Sequence, residues 1–161
     1  MRPLESAANE AIEMRPIGIV RSGVTEQRDT DWGDVRSSIE VSPEFAPGLR
    51  GLEEFSHAVI ATYLHQAAFD PARHLQRRPR GLAHMPLAGI FAQRAKDRPN
   101  PLGITAVRIL AVSSSSLEVQ GLDAIDGTPV LDIKPYVPDF DAWHDATVPA
   151  WMSELMQGYF G

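Results

Sequence analysis

Two polar stretches concentrate the groups that could do chemistry. The first is "KDRPNPLGIT", Lys96 to Thr105, where two prolines surround Asn100 directly after Arg98. Each proline fixes φ and removes a backbone donor, so the stretch suits neither a helix nor a central strand. A guanidinium and an amide held on so stiff a loop are preset for an anion or a carbonyl. The second is "GLDAIDGTPVLDIKPYVPDFD", Gly121 to Asp141, with Asp123, Asp126, Asp132, Lys134 and Tyr136 inside fourteen residues. Asp132 and Lys134 fall on one face of a strand. They form either an exposed ion pair of little worth or part of a site. Pro135 stops that strand and fixes the lysine at its end, where sites tend to sit.

The histidines make a separate question. His57 and His65 lie eight residues apart and share a face if their strand is regular. A third ligand would have to come from His74 or His84; the alternative is histidines hydrogen-bonded in or near the core. No metal requirement is expected. There is no cysteine, which excludes disulfides, cysteine nucleophiles and thiolate metal sites. Glycine-rich phosphate loops, G-x-S-x-G and H-E-x-x-H are missing as well.

The chain has 161 residues, enough for one ordinary core, and its 43% hydrophobic and 22% charged content is that of a globular protein. No apolar run approaches the roughly 18 residues of a membrane span. The first 13 residues lack the apolar centre of a signal peptide and are expected to be a mobile tail, so the expected location is cytoplasmic. A net charge of −6 argues against a general nucleic-acid binder, but the charge is uneven. Arg73 to Arg98 holds seven basic residues and one acid; Glu118 to Asp145 holds seven acids and one base. A basic segment on an acidic protein can still hold a phosphate backbone, or be a solvated arginine-rich loop.

The elements that must position these groups are mostly strands. Arg15–Ser22, Arg36–Ser42, Leu87–Arg94, Gly103–Val112, Leu117–Leu122 and Pro129–Lys134 are short and rich in β-branched residues. "SHAVIATYL", Ser56–Leu64, is nearly continuous and apolar, as in a strand buried on both faces. "PEFAPGLRGLEEF" allows at most a helical turn. "QAAFDPARHLQRRPRGLAHMP" is a long irregular segment of the kind that is functional or mobile. Ser113–Ser116 and Asp126-Gly127 are turns. At the end, Val148, Trp151, Leu155 and Tyr159 fall at helical spacing, with Thr147 as cap and Pro149 in the first turn. The expected fold is mostly β, one domain with a terminal helix, either a sandwich or a small barrel.

"RPIGIVRS", "GLRGLEEFSHAVI", "GIFAQRAKDRPNPLGIT" and "GLDAIDGTPVLDIKPYVPDFD" resemble, in order and spacing, the successive blocks of the TrmO (YaeB-like) tRNA methyltransferases. The resemblance runs from Met14 to Asp141 and implies a single-domain small β-barrel over 14–141, with 142–161 as a helical extension. Longer bacterial members of that family carry a further C-terminal domain. The resemblance implies S-adenosylmethionine as cofactor, tRNA as partner and a homodimer. The implied reaction is methyl transfer to N6 of a threonylcarbamoylated adenosine beside the anticodon. The alternative is a module that binds cofactor or RNA without methyl transfer, or a methyltransferase with another substrate. In-line transfer needs the nitrogen, methyl carbon and sulfur aligned and one proton removed.

Carried over position by position, the resemblance puts His65, Gln66, Arg94, Ile104, Gln120, Gly121, Leu122 and Asp123 at the cofactor. Typical members have P-x-Q-P in the first cofactor loop. Here that loop is "RDTDWGDV", and Asp31 and Trp32 take the role, with Trp32 either stacking on adenine or packing under the loop. Arg98, Asn100, Lys134 and Tyr136 fall on the substrate side, and Asp126 or Asp132 is the expected general base.

Overall fold

The computed structural model describes residues 10–161; of the expected tail, residues 1–9 lie outside them. Six strands close a barrel: β1 (Gly18–Ser22), β2 (Arg36–Val41), β3 (His57–Tyr63), β6 (Leu102–Val112), β7 (Ser116–Gln120) and β8 (Pro129–Pro135), in the order β1-β2-β7-β6-β3-β8. Every seam is antiparallel. The barrel form of the expected fold is thus the one adopted. A separate two-stranded ribbon pairs β4 (Gln76–Arg77) with β5 (Ala88–Gly89).

Alternation decides what fills the barrel. Val20, Ile39, Ala58, Ile60, Val107, Leu117, Val119 and Val130 point inward and form one buried cluster. Leu49 and Leu52, on two 3-10 turns, plug one end; Leu122 and Ala124, on the connection from β7 to β8, plug the other. β3 was expected to be buried on both faces, and it is not. Ala58, Ile60 and Thr62 are buried, whereas Val59 and Ala61 are half-buried and Tyr63 is exposed. Its continuous apolarity reflects an outer face that is also apolar, not a second covering layer.

Two more expectations need correction. Leu87–Arg94 holds only the two residues of β5, followed by a 3-10 turn over Ile90–Ala92. The buried amide of Gln93 donates to the carbonyls of Arg77 (3.0 Å) and Ala88 (2.9 Å), which folds the segment back on itself. The final helix spans only Ala150–Leu155, and its N-cap is Pro149, not Thr147. Proline suits that place because its missing N–H is not needed there. The other two helices among the described residues are single turns, α1 (Pro71–His74) and α2 (Pro138–Asp141), so the final one is α3. α1 is capped by Asp70, whose carboxylate accepts from the Ala72 N–H at 3.0 Å. The long segment from Gln66 to Pro86 is therefore built of small ordered pieces. Among the described residues no helix is long and apolar enough to cross a membrane.

Candidate functional site

The barrel register brings most of the singled-out residues to the end plugged by Leu122. β6 is the axis of this end. Hydrogen bonds from Leu64 N to Pro101 O (2.8 Å) and from Ile109 N to Ser56 O (2.9 Å) fix the bonded pairs of the β3–β6 ladder. Ile104, opposite Ala61, lies in a non-bonded pair, so its N–H and C=O point away from β3. On that side β7 pairs only as far as Gln120 with Arg108, which leaves the start of β6 an open edge. Arg94 takes it: Nη2 donates to the Ile104 carbonyl at 2.5 Å. The Ile104 side chain stays exposed.

Beyond Gln120 the chain runs on beside this edge. Gly121 turns with φ 90° and donates its N–H to Val35 O at 2.9 Å, while the Gln120 amide donates to Asp34 at 3.3 Å. These two bonds bind 120–123 to the loop that precedes β2. Leu122 is buried in the core. Asp123 accepts from the Thr105 hydroxyl through Oδ1 and from the Tyr159 hydroxyl through Oδ2, the latter at 2.6 Å. Burial first, then the Asp123 carboxylate, drives the Tyr159 hydroxyl far above the usual phenol range, so it stays a donor. His65 and Gln66 occupy the tip of a turn closed by Ala67 N to Leu64 O (2.9 Å), just past β3 and beside Pro101.

Trp32 packs under its loop. It is 2% exposed, its indole N–H donates to Arg28 O at 3.0 Å, and the Arg28 guanidinium sits 4.9 Å from the ring centroid. Its faces are taken by protein, so stacking on a ligand is not the role this placement supports. Asp31 is exposed at φ 63°, a strained value for a non-glycine residue.

The stiff loop is more self-contained than its sequence promised. Arg98 Nη1 donates to Gln93 O (2.9 Å) and Ala95 O (3.2 Å), so this guanidinium clamps the turn that carries Arg94. Asn100 is exposed, its carbonyl accepting from Leu102 N at 2.8 Å. Asp97 ties the loop to the arginine-rich segment. It accepts from the Ala68 N–H and the Lys96 ammonium, each at 2.9 Å, with Arg77 and His74 near 4 Å. Burial pushes its carboxyl up, but the Ala68 and Lys96 donors and His74 outweigh this and hold it below the usual carboxylate range. A depressed carboxyl adds stability above its unfolded pKa, near 4, and loses it as the pH falls through the folded value. Asp97→Asn is therefore expected to lower stability at pH 7 by about 1 kcal/mol. That deficit should shrink toward pH 3 in paired thermal melts. An equal deficit at both pH values would contradict the assignment.

The aspartates expected to act as base part company. Asp126 accepts from the Ser22 N–H at 3.0 Å and so ties the turn before β8 to β1. Asp132 lies on the outer face, opposite Ala61, which is in turn opposite Ile104. The three form one row across β8, β3 and β6, with Asp132 and Ile104 roughly 10 Å apart by strand spacing. Lys134 sits 2.7 Å from Asp132, whose carboxylate raises the lysine above its usual range. Tyr136 lies toward the other end of the barrel, its ring 6.1 Å from that of His57. A groove of about 450 Å³ at that end is lined by Phe45, Leu49, Arg50, Phe55, Asp132 and Ile133, among others.

The histidines engage different partners: His57 with the Ser56 hydroxyl, His74 with the Asp70 N–H, and His84 with Glu154 at 2.9 Å. Among the described residues no three ligand-type side chains gather around a common point. Sequence reasoning missed Thr105 and Tyr159. Thr105 carried no signal inside an apolar strand, and Tyr159 was counted into a helical stripe that the helix does not reach.

A model of the tRNA-methyltransferase O N-terminal domain family matches residues 21–142. A probable S-adenosyl-L-methionine-binding protein of Pyrococcus abyssi is 37% identical over 150 residues, covering 87% of this chain and 76% of that protein. A tRNA (adenine(37)-N6)-methyltransferase of Mus musculus is 37% identical over 114 residues, 71% of this chain and 26% of that protein. The crystal structure of TrmO from Pseudomonas aeruginosa superposes with a TM-score of 0.68 at 34% identity, covering 86% of this chain and 62% of that one. The chain thus spans about three-fifths of the solved TrmO chain, and about a quarter of the mouse enzyme.

Proposed function

The chain belongs to the tRNA-methyltransferase O N-terminal domain family, and from that premise we propose that it is an S-adenosylmethionine-dependent tRNA methyltransferase acting on N6 of an adenosine. The observation that carries this reading is the convergence of Arg94, the open edge at Ile104 and the segment Gly121–Asp123 at one barrel end. The donor set fits the cofactor. Arg94 offers a guanidinium to a carboxylate, Ile104 an apolar wall, and Asp123 acceptor oxygens to ribose hydroxyls. His65, Gln66 and Gln120 border the same end, and Asp31 stands on the adjoining loop, which Trp32 seats from below.

When bound, S-adenosylmethionine supplies an electrophilic methyl group. The chain's own residues have to hold the acceptor nitrogen in line and accept its proton. Asp132 is assigned this base role, because it shares an outer row with Ile104 whereas Asp126 is committed to the Ser22 amide. Lys134 pairs with Asp132 at 2.7 Å and fixes where its carboxylate lies, and its exposed ammonium can meet phosphate. Asn100 and Tyr136 are assigned to the RNA, Tyr136 as a stacking platform. Arg98 acts on the same site by holding the turn of Arg94. The finer substrate is a threonylcarbamoylated adenosine next to the anticodon, and the working unit is a cytoplasmic homodimer. Apolar Tyr63, Leu102 and Ile104 left open on the outer barrel face support the dimer.

A second reading, a cofactor-binding module without transfer, is favoured by the Pyrococcus relative, which is described only as a probable binding protein. Two measurements separate the readings. Calorimetry is expected to find S-adenosylmethionine binding to the pure protein; no binding sinks both. Mass spectrometry of tRNA nucleosides from cells with and without the gene is expected to show an N6-methyl group lost with the gene. Binding with an unchanged nucleoside profile leaves the module.

A further inference from the structure

The segment Gly158–Phe160 lies across the two pieces of chain that make the proposed cofactor site, and nothing in the site's assignment so far uses it. Four contacts hold it there. The Asp31 N–H donates to Gly158 O and the Trp32 N–H to Tyr159 O, both at 2.9 Å. The Phe160 carbonyl presses on Gly33 so closely that a Cβ there would lie 1.7 Å from the oxygen. The Tyr159 hydroxyl donates to Asp123 Oδ2 at 2.6 Å. Upstream, α3 is tied down by Glu154 to His84, and Gly158 reverses the chain at φ 70°.

These contacts have a common consequence. Asp31 is a non-glycine residue at positive φ, a conformation that persists only where the surroundings hold it. The strap supplies the acceptors that hold it and its neighbour. Asp123 has about four lone-pair positions, of which Thr105 and Tyr159 fill one on each oxygen. The carboxylate is thereby fixed in one rotamer with acceptor capacity to spare, which suits a pair of vicinal hydroxyls.

We infer that Gly158–Phe160 is a built-in strap of the cofactor site, with Tyr159 the positioning residue that sets the Asp123 carboxylate for the ribose hydroxyls of the ligand while the strap backbone holds the 31–33 loop beside it. This rests on the cofactor reading given above. The strap touches the binding walls and not the methyl group, so it governs affinity rather than the rate of the chemical step.

Two substitutions separate the parts. Tyr159→Phe removes only the hydroxyl. In Gly33→Ala the three atoms nearest the new Cβ all belong to the Phe160 backbone, the carbonyl oxygen at 1.7 Å, so the strap has to lift. Calorimetry with S-adenosylmethionine is expected to show about a fivefold weaker Kd for Tyr159→Phe and tenfold or more for Gly33→Ala. Hydrogen exchange is expected to show the Asp31 and Trp32 amides still protected in Tyr159→Phe but unprotected in Gly33→Ala. On tRNA, KM for the cofactor should rise in both with kcat within twofold of the parent, a split that general destabilisation does not produce. Unchanged Kd in both variants overturns the strap, and tighter binding overturns it in favour of a plug. A parent protein that binds no S-adenosylmethionine overturns both the strap and the cofactor reading. A binding parent with two unaffected variants overturns the strap alone.

Discussion

Arg94→Ala should weaken S-adenosylmethionine binding about a hundredfold and leave the melting temperature nearly unchanged. Losing one member of a charged hydrogen-bonded pair costs about 2–4 kcal/mol, and each 1.4 kcal/mol is tenfold in Kd. The stability side follows from position. The Arg94 side chain is exposed, and it donates to a carbonyl on an open strand edge that water can replace. Arg98→Ala makes the control. Its guanidinium bonds the Gln93 and Ala95 carbonyls, so removing it loosens the turn and should lower the melting temperature, with a loss of affinity nearer tenfold. The two neighbouring arginines thus separate by which quantity each one moves. Calorimetry with thermal melts of both variants checks this, and equal affinity of Arg94→Ala and the parent would refute the assignment.

Ile60→Ala should cost about 3–4 kcal/mol, within the usual range for emptying a buried isoleucine site. Ile60 is fully buried at the middle of β3, between Thr105 of β6 and Ile133 of β8, with the barrel core around it. At this chain length such a loss lowers Tm by roughly 6–16 °C. Its neighbour gives the contrast. Val59 points outward and is half-buried, so Val59→Ala should cost less than about 1 kcal/mol. Denaturant unfolding of both variants measures the difference. Similar losses at the two positions would mean that the outer face of β3 is covered in solution, as a tight dimer through that face requires.

β3 also shows where sequence stops being legible. Its strand character was plain from Ser56–Leu64, but an apolar outer face looks the same in one dimension as a second buried one. The paired turn at Asp126-Gly127, the long strand after Gly103 and the serine turn were all legible, because each rests on local backbone chemistry. The choice of barrel over sandwich came from the resemblance and not from the strand pattern, since it depends on β1 and β8 meeting across the whole length of the domain. At the site, Arg94 and Ile104 came from resemblance, while their 2.5 Å contact needed the ladder register. Arg98 was misleading for a physical reason. Two prolines announce a rigid loop, but rigidity says nothing about whether a side chain faces outward to a ligand or inward to its own carbonyls. Tyr159 was missed because helical spacing carries no mark that the helix stops at Leu155 and that Gly158 then turns the chain.

The seam between β1 and β8 has a further consequence. The strands pair there at Gly18 with Val130 and Ile19 with Pro129, and the bonds Val20 N to Thr128 O (2.9 Å) and Gly127 N to Val20 O (2.8 Å) carry the contact into the turn before β8. By contrast β6 and β7 are joined by the three serines 113–115, and β3 meets β6 along seven pairs. Bringing distant chain segments together carries a loop-closure cost that a local hairpin does not. The β6–β7 hairpin is then expected to form early in folding, and the β1–β8 joint to close last. The cylinder that holds the cofactor edge behaves kinetically as a curled sheet with a latch.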